Sequence, residues 1–186
     1  MKKTLLIACT AILSFGCNDK SESGTTATTD STKMADSKAV DLVYPYTLEK
    51  GYRDWQPGDQ KHAVTVMTSL KAFENGNIPA CIATFGDSVD LYFDNYREKL
   101  SKDSLTKFFT KLRAESASIK IHMQDWESVI AKDKKDEWVT LWYKQVWTDK
   151  KGKTDSLAII DDAKIENGKI VVLDEKIQHY PAAKKK

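Results

Sequence analysis

Near Glu115 the spacing of apolar side chains changes period, and that change narrows the folds open to this chain. Before it, Ala63, Val66, Met67, Leu70 and Phe73 recur at helical spacing, and so do Leu105, Phe108, Phe109 and Leu112. After it, Ile119, Ile121 and Met123 alternate with Lys120, His122 and Gln124. Three more strand-like segments follow: Trp138 to Trp147, Leu157 to Ile165, and Ile170 to Ile177. Helices first and an antiparallel meander afterwards imply an α+β domain. A helix buries one stripe and a sheet one face, so the helices are expected to pack on one face of a curved sheet.

Local signals divide the same region. Pro57-Gly58-Asp59 reads as a turn into the first helix, and Asn75-Gly76 tolerates the left-handed backbone that ends it. Asn77 is placed to cap a short second helix, with Pro79 in its first turn and Ile82 and Phe85 on its buried side. Gly86-Asp87 is expected to break the chain before a strand from Val89 to Phe93, and Asp103 to cap the third helix. Asp149 to Gly152 reads as the turn after the second β segment. Asn167-Gly168 is the strongest hairpin signal in the chain.

The N-terminal part obeys different rules. Met1-Lys2-Lys3 is a positive start, and Thr4 to Phe15 is apolar but too short to cross a bilayer, which takes about 20 residues. It therefore reads as a secretory signal. Leu13-Ser14-Phe15-Gly16-Cys17 resembles a bacterial lipobox, which implies cleavage after Gly16 and a lipidated Cys17 as the mature first residue. Asn18 after the cysteine points, by analogy with envelope sorting, to an outer membrane. From there to residue 39 the chain is nearly all small or polar, a composition too poor in apolar surface to fold. A tether of that length separates its ends by roughly 25–30 Å. The expected organisation is a signal over 1–16, a tether over 17–39, a brace over 40–56 carrying Tyr44, Tyr46, Tyr52 and Trp55, a domain over 57–181, and a basic tail over 182–186.

Composition excludes some functions. Hydrophobic residues make up 41% of the chain, enough for a core. The formal charge of +2 falls to near neutrality once Lys2 and Lys3 leave with the signal. No basic stripe interleaved with aromatics is present, so nucleic acid is not an expected partner. Cys81 is the one cysteine of the expected domain, which leaves no disulfide framework; its neighbours Ala80, Ile82 and Ala83 mark it as a buried small hydrophobe. His62, His122 and His179 lie in separate elements without ligand spacing, so no metal and no cofactor are expected.

Three stretches carry a resemblance. Lys71 to Ala80, with its Asn75-Gly76-Asn77-Ile78-Pro79, and Ile82 to Val89 look like the end of the first helix and the short second helix of the nuclear transport factor 2-like superfamily. Ile160 to Ile170, with Gly168-Lys169-Ile170, looks like its final hairpin. The resemblance spans about Pro57 to Tyr180 and includes the SnoaL-like and ketosteroid-isomerase branches. It implies a cone: three helices and a strongly bent sheet around a mouth that often holds a small apolar ligand, with an outer sheet face that often makes a dimer. These motifs specify fold more than function.

Asp161 is the candidate site residue. Strand alternation puts it on one face with Leu157, Ile159, Ala163 and Ile165, a lone carboxylate among apolar side chains. Such a group needs a raised pKa or a partner. It also falls where the isomerase branch keeps a pocket acid. The alternative is a strand-end carboxylate reaching solvent or a lysine. The rest of that branch's catalytic set is missing. Matching outward from Gly76 puts Ser69 at its tyrosine position and Phe93 at its general-base position; Asp94, one residue on, recovers the role only through a bulge. A four-residue turn before the return strand turns Trp142 toward Asp161; a turn one residue longer or shorter brings Trp147 or Tyr143 inward instead.

The leading expectation is a lipid-anchored envelope protein whose domain binds a small apolar ligand or partner segment without catalysis, through Asp161, Trp142 and Phe93. The alternatives are a SnoaL-like enzyme with Asp161 as acid or base, and a dimerisation or docking unit using Trp126, Trp147 and Tyr143 as exposed aromatics.

Overall fold

The computed structural model describes residues 44–47, 54–94 and 96–180. The signal, Cys17, the tether, the basic tail and most of the brace lie outside them. Of the brace, Tyr44 and Tyr46 are exposed, and Trp55 begins a strand.

The elements run β1 (Trp55–Pro57), α1 (Gln60–Glu74), α2 (Ile78–Ile82), β2 (Phe85–Phe93), β3 (Tyr96–Ser101), α3 (Lys102–Ala114), β4 (Ser116–Ala131), β5 (Glu137–Asp149), β6 (Thr154–Glu166) and β7 (Lys169–His179). One seven-stranded sheet holds them in the order β1-β4-β5-β6-β7-β2-β3. Every pairing is antiparallel except β2 with β7. This is the expected α+β architecture, a curved sheet over three helices, with one parallel seam where β2 joins the meander.

Local chemistry explains most boundaries. The Asp59 carboxylate accepts from the Lys61 N–H, capping α1, and Gly76 (φ +74°) turns the chain away at its end. The Asn77 side chain accepts from the Ala80 N–H at the start of α2. Gly58 is needed for a different reason. A Cβ there would sit 2.6 Å from Ser128 Oγ and 3.0 Å from Val129 N, because the chain crosses β4 closely enough for Gly58 N–H to donate to the Ser128 carbonyl.

Four expectations need correcting. Ser101, not Asp103, caps α3; its hydroxyl accepts from the Ser104 N–H, and Asp103 lies in the first turn. Gly86-Asp87 does not break the chain but sits inside β2, where the register with β7 slips between Phe85 and Asp90. Phe85 belongs to that strand rather than to α2. Five residues, 149–153, separate the paired Thr148 and Thr154 where four were expected, and this settles the facing of β5: Leu141, Tyr143, Gln145 and Trp147 point one way and Trp142 the other.

The core lies between the concave sheet face and the helices. Val89, Leu91, Leu105, Val139, Leu141 and Ala163 are fully buried. Phe73, Phe85, Phe93, Phe108 and Phe109 form an aromatic cluster with neighbouring ring centroids 5.6–6.4 Å apart. Arg113 of α3 donates to the carbonyls of Phe73, Glu74 and Ser116, tying two helix ends to the start of β4. The buried Glu74 carboxylate accepts from Ile121 N–H and from Lys71. Burial alone would raise its pKa; the two bonds and the lysine charge outweigh that and lower it. Among the described residues no helix is long and apolar enough to cross a membrane.

Candidate functional site

The sheet and helices do not close completely on one another. They enclose a cavity of about 520 Å³. Its helical wall includes Val66, Ser69, Phe73, Cys81, Phe109 and Leu112, and its sheet wall comes from β2 and β4 to β7. A register slip in β7, where Ile165 pairs with Ile170 but Lys164 with Val172, lets both Ile170 and Leu173 face inward.

The polar part of the wall is built by strand register. Leu141, Asp161, Glu175 and Phe93 form one lateral row across β5, β6, β7 and β2, with Asp161 directly opposite Glu175. One step along, Tyr143, Ile159 and Ile177 form the next row. The Tyr143 hydroxyl donates diagonally to Asp161 Oδ2 at 2.9 Å. Asp161 is 5% exposed, and its Oδ1 has no hydrogen-bond partner in the structure.

Two facing carboxyls, Asp161 buried and Glu175 part-buried, cannot both stay ionised cheaply. Loss of water raises Asp161 to about 7, against the Tyr143 bond and Lys176, which favour its charge; Asp162 and Asp174 push the same way as burial. Loss of water, with repulsion from Asp161, raises Glu175 to about 8. The pair therefore keeps at least one proton at neutral pH. Burial, then the neighbouring carboxylate, pushes the Tyr143 hydroxyl well above its ordinary value, so it remains a donor.

Of the residues expected from sequence, Asp161 and Phe93 line this cavity. Trp142 does not: it pairs with Ile160 on the opposite face, because five residues rather than four lie between the paired Thr148 and Thr154, which shifts β5 by one position. Tyr143 faces inward in its stead, as a turn one residue longer dictates. Asp94 is exposed in the β2–β3 turn with φ +47°, so no bulge brings it inward. Ser69 lines the cavity, its hydroxyl 3.4 Å from the Cys81 carbonyl and from Cys81 Sγ. The Cys81 thiol is buried, and burial raises its pKa. Of the three aromatics expected to be exposed, Tyr143 is 1% exposed and Trp147 faces the cavity, which leaves Trp126. The far face of β6 and β7 carries ion pairs, Lys176 with Asp162 and Asp174 at 2.7 and 3.1 Å. Among the described residues no group of three or more His, Cys, Asp or Glu is placed to hold a metal.

Glu175 was legible and overlooked. It alternates with Leu173 and Ile177, the same signal of a lone acid on an apolar strand face that singles out Asp161.

Comparisons with known proteins agree with this architecture. The chain matches no protein-family model and no curated protein sequence. Among solved structures it is similar to an NTF2-like protein of unknown function from an Exiguobacterium species, with TM-score 0.52 and 16% identity over 61% of this chain and 98% of that one. It is also similar to an LEH-like epoxide hydrolase from M. tuberculosis, with TM-score 0.54 and 10% identity over 66% of this chain and 82% of that one. A candidate dehydratase of the NTF2-like family from Streptomyces avermitilis gives TM-score 0.54 and 10% identity over 65% and 96%. At such identities the likeness speaks to backbone alone, and what it establishes is that the chain has the nuclear transport factor 2-like fold.

Proposed function

We propose that the domain binds a small, largely apolar molecule carrying one polar group, seated with that group against Tyr143, Asp161 and Glu175. The observation that carries this reading is the cavity itself: about 520 Å³, walled mainly by apolar side chains, with one buried carboxylate oxygen left unpartnered. A concave apolar hollow with a few convergent polar groups is what small-molecule sites look like. An acid this dry costs free energy unless something arrives to bond it. Phe93 at the expected base position and Asp94 out in a turn argue against the steroid-type proton transfer of the isomerase branch.

The reading includes the anchor. Cys17, lipidated after removal of residues 1–16, holds the protein at a bacterial envelope membrane, and residues 17–39 tether the domain to it. An outer membrane is the favoured address.

A neutral reporter tests the cavity. Titrating 4-phenyl-1-butanol into the purified full chain is expected to change Trp147 fluorescence and to move amide signals of β5 to β7. Leu157→Trp, which sets an indole at the partly exposed end of the lining, is expected to abolish both changes without lowering the unfolding midpoint. Alcohol binding that survives the indole refutes the reading.

A second reading has its own support: the Asp161–Glu175 pair keeps at least one proton near neutral pH, the state a general acid or base requires. Turnover of an added epoxide or hydroxyl-bearing substrate, lost in Asp161→Asn, would favour an enzyme over a binding module.

A further inference from the structure

The cavity wall is one-sided in charge. Asp161 and Glu175 lie within it, Glu115 and Asp149 contribute to its lining, and no Lys, Arg or His does. Nearby cations are engaged elsewhere. Lys176, next to Glu175 in sequence, pairs with Asp162 and Asp174. Lys144 sits over the Tyr180 ring, and Arg113 is spent on three backbone carbonyls.

Hydrogen-bond donors are also short at the polar row. The Tyr143 hydroxyl is used on Asp161 Oδ2, and the Ser69 hydroxyl lies against Cys81. Asp161 Oδ1, on a side chain 95% buried by its 5% exposure, accepts from nothing. An occupant that brings its own donor completes Asp161 Oδ1, and a cation brings compensating charge as well.

We propose that the cavity takes an apolar molecule ending in a protonated amine, with the ammonium group between Asp161 and Glu175. This rests on the binding reading above and names its ligand class. Phe93 stands beside Glu175 in the same row, and Tyr143 and Trp147 line the same wall, so ring faces are at hand to favour a cation further. The groups around the pair leave the field negative. Tyr143 faces it from β5, Phe93 from β2, and Ser69 and Cys81 line the cavity from the helices; through the sheet, Asp162 and Asp174 outnumber Lys176.

The amine must displace the proton that the two carboxyls hold. Binding therefore competes with protonation and strengthens as pH rises, whereas a neutral ligand has no such dependence. An aliphatic ammonium stays protonated throughout that range, since such groups titrate near pH ~10.4.

Three compounds on one skeleton form the test: 4-phenylbutylamine, 4-phenyl-1-butanol and 4-phenylbutanoic acid, titrated calorimetrically into the full chain at pH ~7.5, within the pair's titration range. The amine is expected to bind at least about tenfold more tightly than the alcohol, with the acid weakest. Its affinity should rise between about pH 6 and 8.5, and calorimetry in two buffers of different ionisation enthalpy should show a proton released. Asp161→Asn and Glu175→Gln should each erase the preference of the amine over the alcohol. The pH and proton-release arms need only the unaltered protein, so a variant that fails to fold does not shield the proposal. An alcohol or acid that binds as well as the amine overturns the amine assignment and leaves the binding reading standing. Failure of all three compounds to bind overturns both.

Discussion

Asp161 and Glu175 each have an ordinary pKa near 4, at 3.8 and 4.5, and burial raises both in the folded chain. Between roughly pH 4 and 8 the folded state therefore keeps protons that the unfolded state has released. By linkage, the contribution of this pair to stability is full at the acid end and is lost as pH rises through the folded values. Glu175→Gln removes one of the two acids without changing shape. It is expected to raise stability at pH ~8.5 by at least about 1 kcal/mol relative to the unaltered protein and to change it little at pH ~4.5. Urea midpoints at the two pH values measure this, and parallel profiles would refute the pairing. Tyr143→Phe acts on the same pair from the other side. Its hydroxyl favours ionised Asp161, so its loss should raise the titration midpoint of that carboxyl further, as read by carboxyl carbon NMR. Sequence alone reached half of this site. Asp161 was visible because its neighbours at two-residue spacing are apolar, and Glu175 carried the same signature. Tyr143 could not be told from Trp142, since one residue of loop length reverses every side chain of β5.

Among elements, the sequence was clearest where apolar spacing is regular and least clear at the sheet margins. Tyr96–Ser101 reads as charged and irregular, yet it is β3, an edge strand with Leu100 as its one buried residue. Edge strands carry charge because nothing covers their outer side, which removes the alternation that would reveal them. Trp55–Pro57 is too short to show any period. What holds these elements in place is local and testable. Arg113 satisfies three carbonyls, two of them at the end of α1, where helix geometry leaves carbonyls without partners. Arg113→Ala is expected to cost about 2–3 kcal/mol, seen as a lowered denaturation midpoint. Gly58→Ala should cost about 1–3 kcal/mol by a different route, since its methyl would press on Ser128 Oγ and on the β4 backbone. Ser128→Ala would relieve the nearer of these contacts, so the double variant should lose less than the sum of the single changes. Additive losses would show that the crowding at this crossing is not what fixes the glycine.

At the scale of the whole molecule, the fold and the proposed anchor are open to separate tests. The domain buries its apolar face inward, and among the described residues no helix is long and apolar enough to cross a membrane; the attachment proposed above rests on the N-terminal sequence alone. Chain length decides how firmly. Each buried acyl CH₂ contributes about 0.8 kcal/mol; a single myristoyl chain binds only marginally, whereas two or more on one cysteine hold effectively permanently. If Cys17 carries such a modification, the mature protein begins there, its mass exceeds that of residues 17–186 by several acyl chains, and it sediments with membranes. Cys17→Ser removes the proposed site of acylation and changes no residue of the domain, so the variant should move to the soluble fraction with an unchanged unfolding midpoint. Intact-mass measurement and fractionation read the two arms together. A serine variant that still sediments with membranes would assign attachment to some other part of the chain. An unmodified Cys17 in the membrane fraction would do the same. Ligand binding supplies the remaining check on independence: with anchor and cavity at separate places in the chain, the soluble variant should bind 4-phenylbutylamine as tightly as the anchored protein does in detergent.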